Sequence, residues 1–202
     1  MATRARTARV ATGNGSHAVE KITKRNHCLR FVFLSGGEKN VNIRIATRAD
    51  LPAIVEIYNE TIPTRMVTAD LEPVSVESRE KWFSEHSEER PLWVVEQNGK
   101  VCAWLSFRPF YGRPAYRHTA EIGIYIAQTQ RGKGLGKLLL QKAIDECPKL
   151  AIKTLLGFIF AHNEPSLRLF SRFGFEKWGH FPMVAELDGV ERDLIVMGKR
   201  IG

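Results

Sequence analysis

A chain of 202 residues with 44% hydrophobic and 26% charged content can bury one full core, and its longest apolar run, "LLGFIF" at 155–160, falls well short of the roughly 18 residues that a membrane-spanning helix needs. The three cysteines, Cys28, Cys102 and Cys147, have neither metal-ligand spacing nor a paired framework, which points to a reducing compartment and to thiols used as small apolar residues. The charge of +8 is uneven: residues 1–40 hold eight Lys or Arg and two Glu, or +6, leaving +2 for residues 41–202, so no basic nucleic-acid-binding face is expected on the folded part.

Residues 1–40 are rich in Arg, Thr, Gly and Asn without sustained periodicity and read as a basic, disordered extension. The first nineteen contain no acid; a transit peptide, or a natural start near Val41, fits the same composition. A single domain is expected over 41–202. "VNIRIA" alternates as a short strand, and Asp50 is placed to cap a helix with Leu51, Ile54, Val55 and Tyr58 on one face. Ser75 can cap a second helix that carries Trp82 and Phe83. "LWVVEQNGKVCAWLSF" reads as two strands joined by an Asn98-Gly99 turn. After the loop "RPFYGRPAYRH" come a strand over 119–126, a glycine turn, a helix over 134–146, a strand over 154–160, and a helix over 164–173 stopped by Gly174. Two more strands are expected near 175–183 and 193–199. This order is mixed α and β, with a βαβ unit around the glycine turn.

That turn, "QTQRGKGLGK" at 128–137, joins a strand end to a helix start. Gly132, Gly134 and Gly136 free the backbone to aim consecutive amides at one point, and the helix dipole adds positive potential there. Arg131, Lys133 and Lys137 add full charges, which suits a diphosphate. A Walker loop is excluded, because Lys137 is followed by Leu138 and not by Ser or Thr. A dinucleotide fingerprint is excluded too, since its third glycine position is Lys137.

What remains is RxxGxG, formed by Arg131, Gly134 and Gly136, followed one strand later by "NEPSLRLFSRFGFEKWG" with Asn163 at a helix start. From Val41 onward the chain closely resembles the GCN5-related N-acetyltransferases. That resemblance implies an α/β (α+β) fold with a mixed, mostly antiparallel sheet of six to seven strands, its middle strands splayed and four helices on both faces. It implies acetyl-CoA as cosubstrate and no metal, with the diphosphate on Arg131, Gly132, Lys133, Gly134, Leu135, Gly136 and Lys137. The pantetheine arm would then lie against the backbone of Ile124, Tyr125 and Ile126 and against Asn163. "TIPTRMVTADLEPVSVESREKWFSEH" (61–86) and "RPFYGRPAYRHTAEIGIYI" (108–126) resemble the phosphinothricin and methionine sulfone/sulfoximine acetyltransferases. These acetylate the α-amino group of small amino-acid analogues, and the resemblance suggests a cytoplasmic homodimer.

Glu121 matches the carboxylate that such enzymes place beside the acceptor amine, where it would serve as general base directly or through a water. His118 is the rival. Backbone amides near Tyr125 and Ile126 would face the oxyanion, and no covalent intermediate is needed. The Tyr that many members use to protonate the leaving thiolate falls at Phe170, which has no proton to give, so the acid stays open. Tyr111, Gly112 and Arg113 match the subfamily's acceptor loop, with Arg113, assisted by Arg108, suited to a carboxylate. "LDGVERD" at 187–193 keeps Gly189 and Asp193 of a subfamily segment but lacks its His and Trp. The acceptor is therefore open among amino-acid analogues, peptide N-termini and polyamines, and a noncatalytic acyl-CoA-binding module is the alternative of a different class.

Overall fold

The computed structural model describes residues 29–32 and 40–202. The expectations for a disordered extension, a transit peptide and Cys28 lie outside the described residues, apart from one short strand. The elements are β1 (Leu29–Val32), β2 (Asn40–Ile45), α1 (Leu51–Asn59), α2 (Val76–Ser84), β3 (Leu92–Gln97), β4 (Lys100–Pro109), β5 (Thr119–Ile126), α3 (Leu135–Glu146), β6 (Thr154–Phe160), α4 (Glu164–Arg172), β7 (Glu176–Leu187) and β8 (Val190–Arg200). They form one sheet in the order β1-β2-β3-β4-β5-β6-β8-β7. Every neighbouring pair is antiparallel except β5 and β6. Seven strands from Asn40 on match the expected mixed sheet, and β1 adds an eighth at its edge.

Strand periodicity sorts the core into two layers. On β3, Trp93 and Val95 pack with α3 and α4 residues such as Leu139 and Phe170, while Leu92 and Val94 pack with Ile54 and Ile57 of α1. On β4, Ala103, Leu105 and Phe107 join the first layer and Trp104 the second. Helices α1 and α2 thus cover one face, α3 and α4 the other. Trp104 also donates its indole N–H to the Ile54 carbonyl at 3.1 Å, which fixes α1 against the sheet and satisfies a buried donor.

The turns follow local chemistry. Asn98 (φ 52°) and Gly99 (φ 74°) close the β3–β4 hairpin with the twist that two-residue loops favour. Ser75 accepts from the Ser78 amide at 3.1 Å and caps α2 as expected. Asp50 does not cap α1 with its side chain. A 3-10 turn over Arg48–Asp50 precedes the helix, and the Asp50 carboxylate accepts from the Thr47 amide (2.7 Å) and hydroxyl (2.9 Å) while pairing with Arg44. The last two strands are longer than periodicity suggested. A bulge between Phe181 and Ala185, with Met183 at φ 51°, interrupts the alternation of β7. The hairpin closes at Asp188 (φ 51°) and Gly189 (φ 78°), the same turn chemistry as Asn98-Gly99.

Candidate active site

β5 and β6 pair only at Thr119–Thr154, Ala120–Leu155 and Glu121–Leu156. Beyond these residues the strands part, and a cavity of about 130 Å³ lies between them, bounded by β5, by Gly157 and Phe158 of β6, and by Asn163 and Phe170. The Ala127 amide bonds to the Cys102 carbonyl at 2.9 Å. The alternation of an antiparallel ladder therefore turns the peptide groups of Glu121, Gly123 and Tyr125 toward β4, and those of Ile124 and Ile126 toward the opening. The Ile126 carbonyl on that side accepts from Arg131 Nε at 3.2 Å.

Continuing along the chain, a 3-10 turn over Gln128–Gln130 leads into the glycine loop, tethered to α1 by Glu60, whose carboxylate accepts the Gln128 amide at 2.7 Å. Gly132 (φ 75°) and Gly134 (φ 86°) take left-handed backbone that other residues resist. The first helical bond of α3 runs from the Leu138 amide to the Gly134 carbonyl, and among the described residues no protein group accepts from the amides of 132–137. Amides left open at a helix N-terminus are an arrangement suited to an anion. Lys133 is drawn over the loop by the Thr129 carbonyl (2.7 Å) and the Gln130 side chain (3.0 Å). Lys137 is exposed on the first turn, and Leu135 is buried, so its contribution is its amide. A Cβ on Gly136 would stand 3.1 Å from Leu169, so the glycine lets α3 lie close to α4.

A second cavity, of about 200 Å³, lies on the α1–α2 face. Its floor is every second residue of two paired strands: Trp104, Ser106 and Arg108 of β4 opposite Tyr125, Gly123 and Glu121 of β5. Tyr125 stacks on Trp104 with ring centroids 4.1 Å apart. Tyr58, Arg79 and Trp82 form the facing wall. Tyr58 bonds to Asp70 (2.5 Å) and to the Thr68 hydroxyl, and Arg79 pairs with Asp70 (2.5 Å) while lying 4.8 Å above the Tyr58 ring. Burial pushes the Glu121 carboxyl above its ordinary value against the pull of Arg108. Burial also raises Tyr58 and Tyr125, so both hydroxyls keep their protons. The two cavities share Ile122, Gly123, Tyr125 and Phe158 as a common wall, and Gly123 leaves that wall thin.

Several residues singled out in the sequence stand elsewhere. Tyr111 is 74% exposed and packs on Phe110 and Tyr116; with Gly112 and the exposed Arg113 it stays outside both cavities. His118 bonds through Nδ1 to the Ala151 carbonyl (2.7 Å) and through Nε2 to Arg117, away from Glu121's cavity. Asn163 lines the groove but caps α4 through the Ser166 amide (3.2 Å) and donates to the Met66 carbonyl (2.9 Å). Phe170 also lines the groove, its ring filling the space over Gly157. Tyr58, Asp70 and Arg79 come from separate segments and carry no spacing signal. Among the described residues no three His, Cys, Asp or Glu side chains cluster as a metal site.

Residues 51–175 match the family model described as "Acetyltransferase (GNAT) family". A Bacillus subtilis (strain 168) protein named "Putative phosphinothricin acetyltransferase YwnH" is 54% identical over 162 residues, covering 80% of this chain and 99% of the relative. The "L-methionine sulfoximine/L-methionine sulfone acetyltransferase" of Pseudomonas aeruginosa PAO1 is 34% identical over 163 residues, covering 78% and 93%. Among solved structures, a phosphinothricin acetyltransferase from Sinorhizobium meliloti in complex with acetyl-CoA superposes with a TM-score of 0.75 at 29% identity, covering 80% of this chain and 89% of its own.

Proposed function

The chain belongs to the acetyltransferase (GNAT) family, and from that premise we propose that it acetylates the α-amino group of a small amino acid or amino-acid analogue, with Glu121 as general base. The observation that carries the reading is the pair at the cavity floor. Arg108 and Glu121 are register partners lining one cavity, where an α-ammonium would meet the carboxylate and an α-carboxylate, two bonds away, the guanidinium. Polyamines offer no group for Arg108.

In this reading the acetyl-CoA diphosphate sits on the amides of 132–137, and the pantetheine arm runs along Ile124 and Ile126 in the splay between β5 and β6. Glu121 takes a proton from the ammonium, directly or through a water, and the amine nitrogen attacks the thioester carbonyl. The oxyanion meets the outward amides of Ile124 and Ile126; the ladder alternation favours this pair over the Tyr125 and Ile126 amides expected from sequence. Collapse breaks the C–S bond and expels the thiolate, and the second proton of the former ammonium leaves the amide nitrogen for the thiolate or for solvent. With a thiol pKa of about 8.5, by analogy with cysteine, the thiolate leaves without a dedicated acid, which fits Phe170 in the groove.

We further propose a homodimer that covers the edge strand β7, because Phe181, Met183 and Val184 are exposed there and uncovered apolar edges associate. Access to acetyl-CoA and the free thiols of Cys102 and Cys147 support a cytoplasmic location. The deciding experiment is a thiol-release assay with acetyl-CoA and a panel of methionine sulfone, its carboxamide, a peptide N-terminus and a polyamine. Turnover is expected to be fastest with the free amino acid and slower, through a higher KM, with its carboxamide; turnover of the polyamine at a rate equal to the free amino acid would overturn the reading.

A further inference from the structure

The segment between α1 and α2 touches both cavities. Val67 lines the groove between β5 and β6. Thr68 and Asp70 hold Tyr58 and Arg79 at the acceptor cavity, and Val74 lines that cavity itself. A strap that shapes both walls needs an anchor, and its anchor is Arg65. The Arg65 guanidinium donates to the Ile62 carbonyl (3.1 Å) and the Leu71 carbonyl (2.8 Å), which closes the two limbs of the strap on each other. Its other edge makes a two-point bond to Asp188, Nε to Oδ2 at 2.7 Å and Nη2 to Oδ1 at 3.0 Å. Asp188 is the first residue of the β7–β8 turn, 123 positions away in the chain.

The backbone on either side is fixed as well. His162 Nε2 donates to the Arg65 carbonyl at 2.8 Å and Asn163 Nδ2 to the Met66 carbonyl at 2.9 Å, so the start of α4 grips the strap. Arg65 itself sits at φ 53°, a conformation that a non-glycine residue keeps only where its surroundings hold it. Loss of the Asp188 contact removes this side chain's link between the strap and the C-terminal hairpin.

We propose that Arg65 and Asp188 are positioning residues: their bond clasps the strap against the β7–β8 turn and thereby sets the width of both cavities for the amine and for acetyl-CoA. The role rests on the acetyl-transfer reading above for its kinetic consequence. It also explains what the 187–193 segment does in this chain. The aspartate of the hairpin turn, and not an aromatic side chain, reaches the strap, through Arg65.

The test compares wild type with Asp188→Asn, Arg65→Gln, the double variant and Asp188→Glu, using methionine sulfone and acetyl-CoA. A partly exposed charge pair is screened by salt. Each single neutral variant is expected to raise KM for both substrates about three- to fivefold with kcat held within about twofold. The double variant should be no worse than either single one, and Asp188→Glu should recover most of the loss. Raising the ionic strength should raise KM by a larger factor in wild type than in Asp188→Asn, because salt screens the substrates' own charges in both and the clasp only in wild type. Amide exchange over 62–71 should quicken in Asp188→Asn. Unchanged KM in both single variants, or single effects that multiply in the double variant, would overturn the clasp. If wild type acetylates no member of the amine panel, the acetyl-transfer reading fails by itself. The clasp is then judged on the acetyl-CoA dissociation constant by calorimetry and on the exchange of 62–71, where no change in Asp188→Asn overturns it.

Discussion

Arg108 and Glu121 face each other across the β4–β5 ladder, and among the described residues the arginine makes no hydrogen bond or ion pair with any side chain. In the acetyl-transfer reading, this guanidinium at the cavity wall is the proposed partner of the substrate carboxylate. Arg108→Met keeps the stem and removes the fork. The expected result is a KM for methionine sulfone raised about tenfold to a hundredfold, the loss of a charge-assisted hydrogen bond, with little change for its carboxamide. Steady-state thiol release with the two acceptors measures the difference.

Glu121→Gln removes the proposed base and keeps the shape. Turnover should drop by about 10²–10⁴, with acetyl-CoA binding unchanged by calorimetry. The same substitution has a stability signature. Burial raises the folded-state pKa of Glu121 above 4.5, so the native state holds this proton more tightly than the unfolded chain. Its contribution favours folding below pH 4.5 and is lost as pH rises through the folded value. Glu121→Gln should therefore melt higher than wild type near pH 7 and together with it near pH 4. A lower melting temperature at pH 7 would mean that the carboxylate is stabilised where it stands.

The parts of this site that lie close together in sequence were readable from it. Gly132 and Gly134 announce their loop because left-handed backbone demands glycine, Gly136 because α3 lies close to α4, and Asn98-Gly99 announces its hairpin by the same logic as the first two. Asp188-Gly189 carries an equal turn signal, but Pro182 and the bulge at Phe181–Ala185 break the strand pattern that would have framed it. Asp50 offered a cap by residue type, whereas the structure spends its carboxylate on Thr47 and Arg44. Nothing local marks the set of Tyr58, Asp70 and Arg79, because only the packing of α1, the strap and α2 over β4 brings them together. Sequence resemblance pointed to Arg113, assisted by Arg108, for the carboxylate; of the two, the register between β4 and β5 puts Arg108 at the cavity, and Arg113 lies outside it.

The glycine loop makes a separate prediction. A Cβ at Gly134 would meet nothing within 4 Å, so any effect of Gly134→Ala comes from its φ of 86° and not from a clash. Holding a left-handed alanine costs about 1–2 kcal/mol, and relief of that strain turns the amides of the loop away from their common point. Acetyl-CoA should bind about tenfold more weakly, with the KM ratio between amine acceptors unchanged. Isothermal titration with acetyl-CoA checks the first part. An unaltered dissociation constant would separate the loop from diphosphate binding.

Stability at acid pH tests how α1, which carries Tyr58, is seated. Asp50 is 7% exposed and takes a two-point bond from Arg44, Nη1 to Oδ2 at 2.7 Å and Nη2 to Oδ1 at 2.8 Å, while Arg44 Nε also reaches Glu96 at 3.0 Å. Led by the Arg44 bond, these contacts hold the Asp50 carboxyl at about 2, below its ordinary 3.8. A depressed acid contributes stability above its unfolded pKa, and that stability is lost as pH falls through the folded one; the window here is between about pH 4 and about pH 2. At about 1.36 kcal/mol per unit the shift is worth about 2 kcal/mol. Asp50→Asn should lose about that much in urea unfolding at pH 7, and the gap to wild type should close as pH is lowered from 4 to 2. A gap that stays constant over this range would assign the loss to packing at the helix start, since only the ionised carboxylate can produce the pH dependence.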